Sequence, residues 1–104
     1  MDGMDAGRRL SLGQIVHILR GREAGKVAIV IGYSGPGFVL LADGDKRTAD
    51  RPKKKNIKHI QPTNQVADEV ARSLAETGRV TNAKLRYALN QYCRKQNQGK
   101  WKGE

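Results

Sequence analysis

The chain has 104 residues, 38% of them hydrophobic, and carries 20 Lys and Arg against 10 Asp and Glu, a net charge of +10. A domain of this size buries only about 60–70% of the surface that its unfolded chain exposes, which leaves little room for a deep catalytic cleft. The basic excess argues for a polyanionic partner, nucleic acid first and a membrane surface second, and no stretch is apolar for the ~18 residues that a membrane span needs.

Residues 1–11 read as a flexible arm, in which Arg8 and Arg9 are solvated or touch a phosphate backbone. The opening MDGMDAGRRLSLG lacks a long apolar run and carries Asp2 and Asp5, so it does not read as a signal peptide. From Gly13 to Gly32, GQIVHILRGREAGKVAIVIG predicts two strands, Gly13 to Arg20 and Lys26 to Tyr33, folded about Gly21-Arg22-Glu23-Ala24-Gly25. Gly25 is the expected left-handed position, because a side chain there would clash with the backbone as the second strand begins. Ser34-Gly35-Pro36-Gly37 is a turn, and Phe38 to Ala42 a third apolar strand. Asp43-Gly44 has the composition of a type I′ hairpin turn, from which Lys46 to Asp50 returns as a polar edge strand. Pro52 stops the ladder, Lys53-Lys54-Lys55 sits in a loop, and Pro62 ends the short segment around Ile60. Four or five short strands in about fifty residues predict a small barrel or curled sheet.

The period changes at Asn64, the expected N-cap of a helix. Val66, Ala67, Val70, Ala71 and Leu74 fall at helical spacing, and Gly78 is the expected left-handed stop. Thr81 caps a second helix with the apolar stripe Leu85, Ala88, Leu89, Tyr92 and Cys93. That helix is expected to fray near Gln96 to Gly99, leaving an aperiodic tail in which Trp101 lies between Lys100 and Lys102. The indole either stacks on an unpaired base or is a stray residue of a disordered end.

The charge is segregated. Residues 1–45 are net zero, residues 46–60 are +6, residues 61–78 are −2 and residues 79–103 are +7. General solubility would be served as well by interspersed charge, so two blocks of one sign point to a binding role.

The Gly13–Gly32 pattern resembles a KOW motif: an alternating strand, a basic Gly-bounded turn and a second apolar strand. Leu41-Ala42-Asp43-Gly44-Asp45-Lys46-Arg47, followed by Arg51-Pro52-Lys53-Lys54-Lys55-Asn56-Ile57-Lys58-His59-Ile60-Gln61-Pro62-Thr63-Asn64, resembles the second half of a small bacterial KOW-domain RNA-binding family. That family is similar to a KOW-containing large-subunit ribosomal protein of archaea and eukaryotes. The resemblance covers Leu12 to Asn64 and extends more weakly to the Thr81-Asn82 helix. It implies an SH3-like barrel and RNA, ribosomal RNA in particular, as partner. Gly21, Arg22, Gly25 and Lys26 match the motif turn, and Lys53 to His59 the basic segment.

The expected fold is therefore α+β. A KOW/SH3-like barrel over 12–62 follows the arm, a helical hairpin over 63–97 is appended, and 98–104 form a flexible tail. Candidate RNA contacts are Arg20, Arg22 and Lys26 in the turn, then Lys46, Arg47, Arg51, Lys53, Lys54, Lys55, Lys58 and His59. Lys84 and Arg86 add the second helix, and Gly21, Gly25, Asp43 and Gly44 shape the turns. No enzyme is expected, since His17 and His59 are the only histidines and Cys93 the only cysteine, short of any metal or catalytic spacing. Cys93 is expected to be buried in its stripe. The single cysteine makes a reducing cytoplasm the simplest location. The reading contains no cofactor, no metal, no membrane and no small-molecule substrate. The function it supports is non-catalytic binding of structured ribosomal RNA, with ribosomal proteins as further partners. The alternatives are a protein–protein adaptor of the transcription or translation machinery and a basic DNA-binding accessory factor.

Overall fold

The computed structural model describes residues 10–102, and of 97–102 the backbone alone. Five strands come first: β1 (Gln14–Ile18), β2 (Val27–Tyr33), β3 (Phe38–Ala42), β4 (Lys53–Asn56) and β5 (Ile60–Val66). Two helices follow, α1 (Asp68–Thr77) and α2 (Asn82–Lys102). All four strand pairings are antiparallel, and the sheet order is β4-β3-β2-β1-β5. A one-turn 3-10 helix, Ile57–His59, joins the two edge strands. Its ends bond to the sheet: Ile57 N–H donates to the Gly37 carbonyl (3.0 Å), and Leu19 N–H donates to the His59 carbonyl (2.9 Å). The sheet thus curls toward itself without a β4–β5 ladder. The predicted α+β class and SH3-like form hold, with a barrel that is not fully closed.

The apolar strands are covered on both faces. Val16, Ile18, Ala28, Val30, Val39, Leu41 and Ile60 fill the inside of the curl. Ile15, Ile29 and Ala42 point the other way, into a second cluster with Val70, Leu74, Leu85, Leu89 and Tyr92 of the helices. Successive side chains leave a strand on opposite faces, so Ile15/Val16, Ile29/Val30 and Leu41/Ala42 each divide one residue to each core. The helices are therefore built onto the outer face of the sheet. A left-handed Gly78 closes α1, its N–H bonded to the Leu74 carbonyl. Thr81 caps α2 as predicted, its hydroxyl accepting from Lys84 N–H at 3.2 Å.

Several elements differ from the sequence reading. Leu10, placed in the flexible arm, is a core residue whose carbonyl accepts from the Tyr33 hydroxyl. Residues 1–9 of that arm lie outside the described residues. Lys46 to Asp50 is a loop and not a strand. Asp43 Oδ1 takes the N–H groups of Asp45 (2.8 Å) and Arg47 (2.9 Å), which curls the chain away from the sheet. Only Gly44 of the Asp43-Gly44 pair has positive φ, so the turn is not type I′. The return strand is the lysine run itself, β4, beginning just after Pro52, where a missing N–H costs the ladder nothing.

β5 continues through Pro62 and Asn64, because it is an edge strand with one side free of ladder bonds. Thr63 Oγ1 donates to the Ile15 carbonyl (2.7 Å), and Gln14 Nε2 donates to the Thr63 carbonyl (2.9 Å), which hold the strand to Val66. The first helix consequently starts at Asp68 rather than after Asn64. Ala67 occupies the N-cap position without a side-chain bond, and Asp68 and Glu69 supply negative charge to the first turn. α2 runs on to Lys102, past the expected fraying point and into the expected tail. Arg94, Lys95 and Gln96 are good helix formers and carry the helix over Gly99. The stacking reading of Trp101 concerns a side chain outside the described residues.

Candidate nucleic-acid interface

The basic turn is closed by Ile18 N–H to the Lys26 carbonyl (2.9 Å) and Gly25 N–H to the Ile18 carbonyl (2.7 Å). Gly21 and Gly25 both have positive φ, +98° and +90°. The predicted clash at Gly25 is absent, since a Cβ there would meet nothing within 4 Å, and the backbone angle alone calls for glycine. Arg20, Arg22 and Lys26 are exposed around this turn. The ammonium of Lys55 lies against it, 2.8 Å from the position a Cβ would take at Gly21. The turn and β4, far apart in the chain, thus meet in space. On β4 the lysines alternate: Lys54 is exposed, with its ammonium 4.8 Å from the centroid of Phe38, while Lys53 and Lys55 are half-buried. Lys58 is exposed and His59 half-buried on the 3-10 helix, whose start Asn56 caps by accepting Lys58 N–H at 2.9 Å.

The loop between Asp43 and Pro52 is tied on both sides. Arg47 Nε donates to Glu23 Oε2 of the basic turn (3.0 Å). Arg86 Nη1 donates to the Gly44 carbonyl (2.6 Å), and Ala49 N–H donates to Asn82 Oδ1 (2.8 Å), both reaching α2. Lys46 and Arg51 remain exposed. The Asp50 carboxyl is held below its ordinary range, first by a Thr48 hydrogen bond, then by its own backbone, with a smaller contribution from Arg51. Two predicted contact residues, Arg47 and Arg86, are therefore also struts of the fold.

The chain has relatives among known proteins. The chain is 44% identical over 71 residues to "Putative ribosome-binding protein YbzG" of Bacillus subtilis, which covers 68% of this chain and 96% of that protein. It is 30% identical over 77 residues to large ribosomal subunit protein eL14 of Staphylothermus marinus, 66% of this chain and 80% of that protein. The chain belongs to the eL14-related KOW family. Large ribosomal subunit protein eL14 of Pyrobaculum islandicum is 32% identical over 59 residues, 57% of each chain. No protein-family model matches.

In this eL14-related fold the second helix does not present its cations on one side. Arg86 lines a cleft of about 550 Å³ between the basic turn, the Asp43–Asp45 bend and α2. Lys84 and Lys95 line a different groove of about 230 Å³, between the end of β5 and α2, beside the exposed Tyr87 and Val66. Lys84 is therefore separated from the other candidates. The first cleft also holds residues outside the predicted contacts. Asn90, Cys93 and Gln96 line it with Arg86, a stripe at helical spacing that could have been read beside the apolar one. Cys93 is exposed on that stripe and not buried as predicted; Tyr92 takes the core position instead. His17 Nε2 and the Tyr92 hydroxyl are 3.0 Å apart across the sheet–helix junction, a packing role for both. Among the described residues no group of His, Cys, Asp and Glu could hold a metal ion, and no helix is long and apolar enough to cross a membrane.

Proposed function

We propose that the protein is a ribosome-associated RNA-binding protein that grips structured ribosomal RNA without catalysis, in the cytoplasm. The observation that carries this reading is the approach of Lys55 to Gly21, which sets the lysine strand beside Arg20 and Arg22. A sheet that is packed on both faces holds these cations at fixed spacing, so little side-chain and loop order is lost on binding. Phosphates are neutralised and counterions released. Selectivity comes from the shape of the RNA, because the deep major groove of an RNA duplex is closed to side chains. The names of the relatives, a ribosome-binding protein and a large-subunit ribosomal protein, support ribosomal RNA over other polyanions.

The test is the salt dependence of binding to ribosomal RNA, with duplex DNA as competitor. If about 6–8 phosphates are neutralised, affinity falls steeply from low to physiological salt. A flat salt dependence, or equal preference for DNA, would sink the reading. A ribosomal-protein contact is favoured by one specific feature, the groove that bears Tyr87 and Val66 at 59% and 40% exposure. Cosedimentation with ribosomes that survives Lys53→Glu, Lys54→Glu and Lys55→Glu together would move the main contact to that groove.

A further inference from the structure

We propose that the cleft between the basic turn and α2 takes one unstacked nucleotide of the bound RNA, its base inside and its flanking phosphates at the mouth. This rests on the RNA-binding reading and adds a nucleotide-sized subsite to it. The walls come from three elements: Gly25 to Val27, the Asp43–Asp45 bend, and the α2 stripe Arg86, Asn90, Cys93 and Gln96. The volume, about 550 Å³, falls within the range of small-molecule sites.

The chemistry of the lining separates base from phosphate. Asp43 and Asp45 lie on the wall, so a phosphate would be repelled from the interior. Asp43 Oδ1 is already engaged by the amides of Asp45 and Arg47. The exposed Asp45 is the carboxylate open to a ligand, and it suits an exocyclic amine or a ribose hydroxyl. Val27 and Leu89 supply apolar lining, and His17 and Tyr92 line the cleft beside them. Asn90 and Gln96 each offer both a donor and an acceptor to a base edge. Lys26 and Arg86 supply cations on the two opposing walls, one from the turn and one from the helix. An RNA strand passing from the first basic block to the second would cross this opening, and its phosphates would remain with the cations.

The position of Cys93 makes the inference testable in the unmodified chain. It is the only cysteine, it is exposed, and it lies on the cleft wall. Two probes are used, an RNA hairpin and the same hairpin with one bulged nucleotide, with binding followed by anisotropy and Cys93 alkylation by iodoacetamide measured on the same samples. The expected result is that the saturating bulged hairpin slows alkylation about tenfold, since the reagent needs access to the thiolate, while the paired hairpin slows it far less. The bulged hairpin should also bind about tenfold more tightly, the usual scale of one stacked base. Binding of the bulged hairpin with Cys93 alkylated at the free-protein rate overturns the subsite and leaves the RNA-binding reading standing. Failure of both hairpins and of ribosomal RNA to bind overturns both. Asp45→Asn and Asn90→Ala should each reduce the preference for the bulged hairpin; retention of the full preference in both variants also overturns the proposal.

Discussion

Gly44 is the position at which a single methyl group tests how the fold carries the loop proposed to bind RNA. Its φ is +81°, and a Cβ built there would overlap the Asn82 carbonyl oxygen and come within 3.0 Å of Leu85 Cβ and Arg86 Cγ. Gly25 provides the control, with φ +90° and nothing within 4 Å of the added atom. Gly25→Ala should therefore express backbone strain alone, about 1–2 kcal/mol. Gly44→Ala adds displacement of the loop from the helix. That breaks the Arg86–Gly44 and Asn82–Ala49 hydrogen bonds, each worth about 1 kcal/mol, for a total of roughly 3–4 kcal/mol. In a domain of this size, each kcal/mol lowers Tm by about 4–8 °C, so the two variants should melt well apart. Urea unfolding followed by far-UV circular dichroism measures the difference directly. Destabilisation of the two variants within ~0.5 kcal/mol of each other would refute the claim that the loop is clamped against α2. Binding should follow stability at different rates in the two. Gly44→Ala displaces Lys46 and Asp45 and should weaken RNA binding under conditions where both variants remain folded.

The other expectations concern the charge, the shared core and the junction. Replacing Lys53, Lys54 and Lys55 with Gln should reduce the slope of log affinity against log salt by about 3 if each neutralises one phosphate; an unchanged slope would remove β4 from the interface. Leu85→Ala empties a fully buried position between helix and sheet and should cost about 2–5 kcal/mol in chemical denaturation. If the helices were a detachable appendage, that variant would instead lose helix signal alone and keep a cooperative barrel transition. Tyr92→Phe removes the hydroxyl that meets His17 and should cost about 1 kcal/mol, with helical content unchanged by circular dichroism.

Much of the β-sheet was legible because its signals were local. Phe38 to Ala42 is a strand with the predicted ends, and the second strand begins one residue later than expected. Turn chemistry misled where a side chain competed with the backbone. Asp43 spends its carboxylate on the amides of Asp45 and Arg47, and the hairpin expected from Asp-Gly becomes a curled loop. Pro62 read as a stop because the sequence does not say which strands are edges. The double coverage of the sheet was present in the sequence as near-continuous apolar runs. The candidate site was legible as a set of cations but not as an arrangement. Lys55 reaches Gly21, and Lys84 parts from Arg86, only through long-range packing. Cys93 shows the limit of a stripe drawn on a helical wheel: Tyr92 fills the core, and the adjacent position turns out toward the cleft.

The neutral first half of the chain has a physical role in this arrangement. The basic turn contains one acid, Glu23, and the structure pairs it with Arg47 from the first charged block. This part-buried pair lies near the surface, where such a pair adds little stability, up to about 1 kcal/mol. Its geometric effect is larger, because it ties the middle of the loop to the turn, while Arg86 and Asn82 tie the loop to α2 on either side, at Gly44 and Ala49. The loop thus spans from the turn to the helix, the two walls of the cleft. Removing either attachment would let the wall that carries Asp45 move while leaving Arg20, Arg22 and Lys55 where they are. Loss of Glu23 should therefore affect recognition of an unstacked nucleotide more than affinity for paired RNA, although it removes a negative charge from the interface. Simple electrostatics predicts the opposite sign, tighter binding to every RNA, so Glu23→Gln distinguishes a fixed frame from a mere sum of charges.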